Sequence, residues 1–130
     1  MKLVQRILVG LIGVLTVLVA LRLWFAMDGA LSQFGIAPLN LVGRQTVRAD
    51  MAGLFMSIGV FSLMAAWKQS RTWALGALVV TGAAIAGRLV GVLIDGAGAG
   101  VWPPVVIEAV IIAILVWVRR SWAVADSKSG

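Results

Sequence analysis

Residues 73–94 read WALGALVVTGAAIAGRLVGVLI, a run that is apolar or small apart from Arg88. A helix rises about 1.5 Å per residue, so about 20 residues cross a ~30 Å hydrocarbon core, and this run suffices. The arginine inside it is the informative residue. An ionised side chain in hydrocarbon costs ~2.5–3.5 kcal/mol on insertion scales, so it persists only where it is paired, hydrated or used. A second run, 102–118, carries Glu108 at a matching depth. Together the two charges point to a polar site between membrane helices.

Outward from these runs, two further apolar stretches can be read at about 3–27 and 49–67. The chain has 130 residues, of which 62% are hydrophobic and 12% charged, and a soluble domain of this length cannot enclose that much apolar surface. The expectation is an all-α integral membrane protein, an antiparallel four-transmembrane-helix bundle forming a single membrane domain over 1–130. Barrel strands would alternate polar and apolar positions, and no such alternation appears. The first run is expected to stay as a span rather than be cleaved, because Arg22 and Trp24 follow it without a convincing small-x-small site.

Cysteine and histidine are both absent. That excludes a disulfide, a thiolate metal site and dithiol redox chemistry for this chain alone, and removes the commonest acid–base group. No metal, cofactor or catalytic residue is expected.

Charge sets an expected topology. With the N-terminus inside, the inner flanks carry Lys2, Arg6, Lys68, Arg71, Arg119, Arg120 and Lys128 against Asp126, which accounts for the net charge of +6. The outer half balances Arg22, Arg44, Arg48 and Arg88 against Asp28, Asp50, Asp95 and Glu108. This positive-inside bias places both termini in the cytoplasm of a bacterial inner-membrane protein. The basic excess then reflects orientation and anionic headgroups, not nucleic acid. Trp24 and Trp102 fall at the outer ends and Trp67, Trp73, Trp117 and Trp122 at the inner ends, as interfacial belts.

The connections differ in kind. The first, 28–48, mixes apolar residues with Gly35, Pro38 and Asn40 and is expected on the membrane surface, as a connector or as a cap over a pocket. The second, 68–71, is short enough to force an antiparallel hairpin. The third, 95–100, is glycine-rich, and Pro103 and Pro104 suit the first turn of the last helix. The tail, about 123–130, is polar and expected to be disordered. Small residues recur every fourth position at Ala83, Gly87 and Gly91, and at Ala49, Gly53 and Ser57, which reads as helix packing. Gly10 and Gly13 admit the same reading.

Arg88 and Glu108 each lie six positions inside the ends of their spans, ~9 Å at helical rise, with Arg22, Arg48 and Asp50 near the same level. Arg88 and Asp95 are seven apart and share a face. Arg22, Arg48, Asp50, Arg88, Asp95 and Glu108 are therefore the candidate ligand-binding or polar network. Its plainest role is an inter-helix ion pair that fixes register. The excess of guanidinium forks over carboxylates equally suits an anionic or polar headgroup, with its tail between helices. A transporter using Glu108 and an enzyme acting on a lipophilic substrate through Asp50 or Glu108 are the alternatives. Expected partners are the lipid bilayer, a lipid or quinone, and a membrane-protein partner or second copy docked on the apolar sides.

The spacing Arg48-x-Asp50-x-x-Gly53, then Gly87-Arg88 and Asp95-Gly96, then Glu108, resembles small bacterial four-span proteins grouped as domain of unknown function 4345, themselves loosely similar to DoxX-like membrane proteins. Asp50 stands where that family favours glutamate. The resemblance covers nearly the whole chain and implies a compact inner-membrane bundle with polar residues between its helices. DoxX-like relatives occur in quinone-linked systems, which implies a quinone headgroup as one candidate ligand.

Overall fold

The computed structural model describes the backbone of residues 1–129 and the side chains of residues 1–123. Helix α1 runs Lys2–Phe25, α2 Met27–Gln33 and α3 Leu41–Thr46; a π-helical turn, Val47–Met51, joins α3 to α4, Ala52–Lys68; α5 runs Arg71–Asp95 and α6 Trp102–Ser129. Among the described residues, four stretches are long and apolar enough to cross a membrane: Lys2–Phe25, Leu41–Lys68, Arg71–Asp95 and Trp102–Ala123. This is the pattern of a multi-pass helical membrane protein. Exposed Leu11, Leu15, Leu18, Val79, Val90 and Val110 belong to an apolar girdle that acyl chains would cover. The tail expected from about residue 123 is helical in backbone through Ser129, and its side chains from 124 onward lie outside the described residues.

Contacts descend in antiparallel order. On α1 and α4, Arg6 meets the carbonyls of Ala66 and Trp67, and Trp24 meets that of Arg48. On α5 and α6, Arg119 meets the Arg71 carbonyl while Arg88 meets Glu108. Between α4 and α5 the connection is as tight as its length predicts. Gln69 ends α4 in the left-handed region at φ 51°, and the Ser70 hydroxyl accepts from the Trp73 N–H, capping α5. At the far end of α5, Gly96 turns the chain with φ 88°, a value that glycine adopts freely.

The closest helix approach is between α1 and α4. A Cβ on Gly59 would lie 2.5 Å from Val17 Cγ2 and 3.0 Å from the Gly13 carbonyl oxygen, and one on Gly13 would lie 2.6 Å from Leu63 Cγ. Only glycine lets these backbones meet. The packing expected at the other small residues is not made within the chain. Nothing stands within 4 Å of a Cβ built on Gly53, Gly87 or Gly91, and Ala49 and Ala83 are exposed. Ser57 returns its hydroxyl to the Gly53 carbonyl of its own helix at 2.8 Å. A repeat of small residues marks a helix face, but which face a neighbour covers depends on the whole arrangement.

The first connection also departs from expectation. Asn40 accepts from the Gly43 N–H and caps a helix that begins eight residues ahead of position 49, and from there α3, the π-helical turn and α4 run on as one candidate span, Leu41–Lys68. Helix α2 buries Met27, Ala30 and Leu31 against Leu23 and Ala52, with Phe34 tilted on Phe55 at 5.7 Å. It caps α1 and α4 at the end opposite the termini.

Two apolar clusters result. The first joins Val9, Ala65, Ala74, Ala77, Leu115, Val118 and Trp122, drawn from all four long helices, at the end that carries the termini. The second joins Leu23, Met27, Ala30, Leu31 and Ala52 at the opposite end, with nothing from α5 or α6. Trp122, expected in an interfacial belt, is a core residue at 2% exposure.

Candidate functional site

Helix α5 buries Ala74, Ala77 and Thr81 along one stripe, and α6 buries Leu115, Val118 and Trp122 along another. Arg88 lies seven positions beyond Thr81, and Glu108 seven before Leu115, so each continues the inward stripe of its helix. The antiparallel hairpin then brings them to the same level. Arg88 Nε donates to Glu108 Oε1 at 2.9 Å, with side chains 34% and 13% exposed. Among the described residues this is the one ion pair with both partners inside candidate spans.

The pair is incompletely satisfied. Glu108 Oε2 is buried without a hydrogen-bond partner, and neither side chain makes another hydrogen bond among the described residues. A guanidinium carries five N–H donors, so Arg88 retains most of its donor capacity beside an acceptor that also has capacity left. Moreover, α5 has no buried residue beyond Thr81, and α6 none before Leu115, so the pair lies where these helices have lost the cover of the rest of the bundle. Chemically, it can present the remaining Arg88 N–H donors to a polar group arriving from the side, while Glu108 Oε2 stays covered.

The other predicted site residues are distributed differently. Arg22 donates to Gln33 Oε1 at 3.2 Å, tying α1 to α2. Arg48 and Trp24 form a reciprocal latch: Arg48 Nε donates to the Trp24 carbonyl at 3.1 Å, and Trp24 Nε1 to the Arg48 carbonyl at 3.0 Å. This engages Trp24 in holding α1 to the π-helical turn. Asp50, in the same turn, and Asp95, at the end of α5, are exposed and make no ion pair among the described residues. The expected single layer is therefore two groups. One joins the ends of α1, α2 and α4; the other is Arg88 with Glu108, and no hydrogen bond links them.

Sequence reading missed the Arg44–Asp28 ion pair, 2.7 Å between α3 and α2, because both residues were placed in a surface connection with no helices assigned to it. The cap signal of Asn40 before Leu41 and Val42 would have revealed the helix that carries Arg44. No group of three or more carboxylates gathers among the described residues in a way that could hold a metal ion. No family model matches the chain, and no curated protein and no solved structure matches it.

Proposed function

We propose that this chain is a bacterial cytoplasmic-membrane protein, both termini cytoplasmic, that binds the headgroup of a lipid-like or quinone-like amphiphile at Arg88 and Glu108 in the outer leaflet. One observation carries the reading: an ion pair that continues the inward stripes, stays partly open at Arg88, and leaves Glu108 Oε2 buried without a partner. A carbonyl or anionic headgroup would accept from the remaining Arg88 donors. The exposed apolar residues flanking them, Leu89 and Val106 among others, would hold the tail. Orientation is supported by the bases gathered at the end that carries the termini. Distant kinship with the four-span family of domain of unknown function 4345 and its DoxX-like relatives belongs to the same proposal.

The test is mass spectrometry of amphiphiles that co-purify from native membranes with the wild-type protein, Arg88→Lys and Arg88→Ala. We expect one species retained near stoichiometrically by wild type, reduced by roughly tenfold or more in Arg88→Ala and partly recovered in Arg88→Lys. Identical profiles from all three proteins would exclude the pair as a headgroup site.

A further inference from the structure

At the end that carries the termini, Arg71, Val116, Arg119, Arg120 and Ala123 line a hollow of about 430 Å³ between α5 and α6. We infer that this hollow holds the phosphodiester headgroup of an anionic phospholipid in the leaflet on that side. The inference is independent of the Arg88 site at the opposite end.

Three features support it. Arg119 Nε donates to the Arg71 backbone carbonyl at 3.3 Å, which pins the Arg119 fork across the first turn of α5. No carboxylate meets any of the three arginines among the described residues, and the sequence places one acid, Asp126, against seven bases at this end. Positive charge in the hollow is therefore left for a ligand. The planar guanidinium matches phosphate oxygens two at a time and is more weakly hydrated than an ammonium, so three forks on one concave surface favour phosphate.

The setting selects a lipid as the source. The hollow sits at the ends of two candidate spans, where a headgroup belongs. Its apolar continuation runs toward the membrane core on both helices: Leu75 and Val79 continue the Arg71 face of α5, and Trp117 lies one turn inside Arg120 on α6, all three exposed. Acyl chains of the bound lipid would lie along these residues. Val116 and Ala123 supply the apolar floor beneath the phosphate.

The experiment measures retention of phosphatidylglycerol against phosphatidylcholine by native mass spectrometry of the full-length protein in detergent supplied with both lipids. Arg71→Gln, Arg120→Gln and the double variant remove charge without touching the Arg119 side-chain bond; Lys2→Gln/Lys68→Gln removes two charges at the same end but outside the hollow. Thermal unfolding in detergent verifies that each is folded. We expect wild type to prefer phosphatidylglycerol by roughly tenfold, and the double hollow variant to lose most of that preference. The lysine variant should keep it. Equal loss in both double variants would reduce the effect to general electrostatics and overturn the site, as would a wild-type protein with no preference. A third arm adds inorganic phosphate at millimolar concentration. Undiminished lipid retention supports the lipid as occupant, whereas displacement would show an anion site filled from solution and overturn the lipid assignment.

Discussion

The two ends of this bundle are closed by different means. At the end with the termini, seven buried apolar residues from four helices pack into one cluster; at the opposite end, α1, α2 and α4 share a cluster from which α5 and α6 are absent. There, α5 and α6 hold each other by one charge pair. The first end combines this packing with hydrogen bonds from Arg6 to the Ala66 and Trp67 carbonyls and from Arg119 to the Arg71 carbonyl. In lipid, apolar contact gains nothing from expelling water, so helices without interdigitating side chains require a polar bond or a close backbone approach to stay together. The bundle uses both devices, each on a different helix pair: glycine contact on α1 and α4, and an ion pair on α5 and α6.

The largest effect is expected at the glycine contact, because backbone atoms cannot move aside. Gly59→Leu should push α1 from α4, since even its Cβ falls 3.0 Å from the Gly13 carbonyl oxygen and 2.9 Å from the Thr16 hydroxyl. Overpacking of this kind costs about 1–3 kcal/mol and more where relaxation is blocked. Thermal unfolding in detergent should show the loss, together with raised hydrogen exchange along both helices. A midpoint close to wild type would mean the α1–α4 contact is not what holds this half together.

The ion pair offers a sharper probe. Glu108→Ala leaves Arg88 without its partner, and Arg88→Ala leaves the more deeply buried Glu108, so each should cost about 1–3 kcal/mol, less than for a fully dry pair because Arg88 is one-third exposed. The double variant should recover part of either loss, and the coupling energy measures the pair itself. Additive losses would show that the two side chains act separately, and would remove the bond that joins α5 and α6 at the end opposite the termini.

Much of this division was legible in the residues, and what was missed has a common cause. Charge within apolar runs, the tight turn at 68–71 and the Pro103–Pro104 start of α6 are local signals, and each leads to the observed element. Arg88 and Glu108 pair because two spans joined by a short connection bring equal depths together, which residue spacing alone implies. The helix start at Leu41 was hidden by Gly35, Pro38 and Asn40, whose mixture with apolar residues made the segment look like a surface connection although Asn40 caps a helix. The choice of Gly13 and Gly59 over Gly87 and Gly91 as the contact required knowing which helix faces which. Trp122 likewise resembles an anchor by position and is a core residue by packing. Periodicity fixes a face; only the assembled bundle says what lies against it.

The smallest effect is expected where the cluster opposite the termini is latched as well as packed. Trp24→Phe keeps an aromatic ring against Phe25, which it meets edge-on at 6.4 Å, but removes the indole N–H that donates to the Arg48 carbonyl. The return bond from Arg48 Nε to the Trp24 backbone survives the substitution, so only half of the latch is lost. A net hydrogen bond contributes about 0.5–1.5 kcal/mol, and this site is not fully buried, so the global midpoint should fall by little. The change should instead be local. Hydrogen exchange should rise over the π-helical turn Val47–Met51 and the end of α1, while the Val9, Leu115 and Trp122 cluster stays protected. If protection fell equally at both ends, the clusters would form one cooperative unit, and the contrast between packed and bonded halves would not describe how the bundle opens.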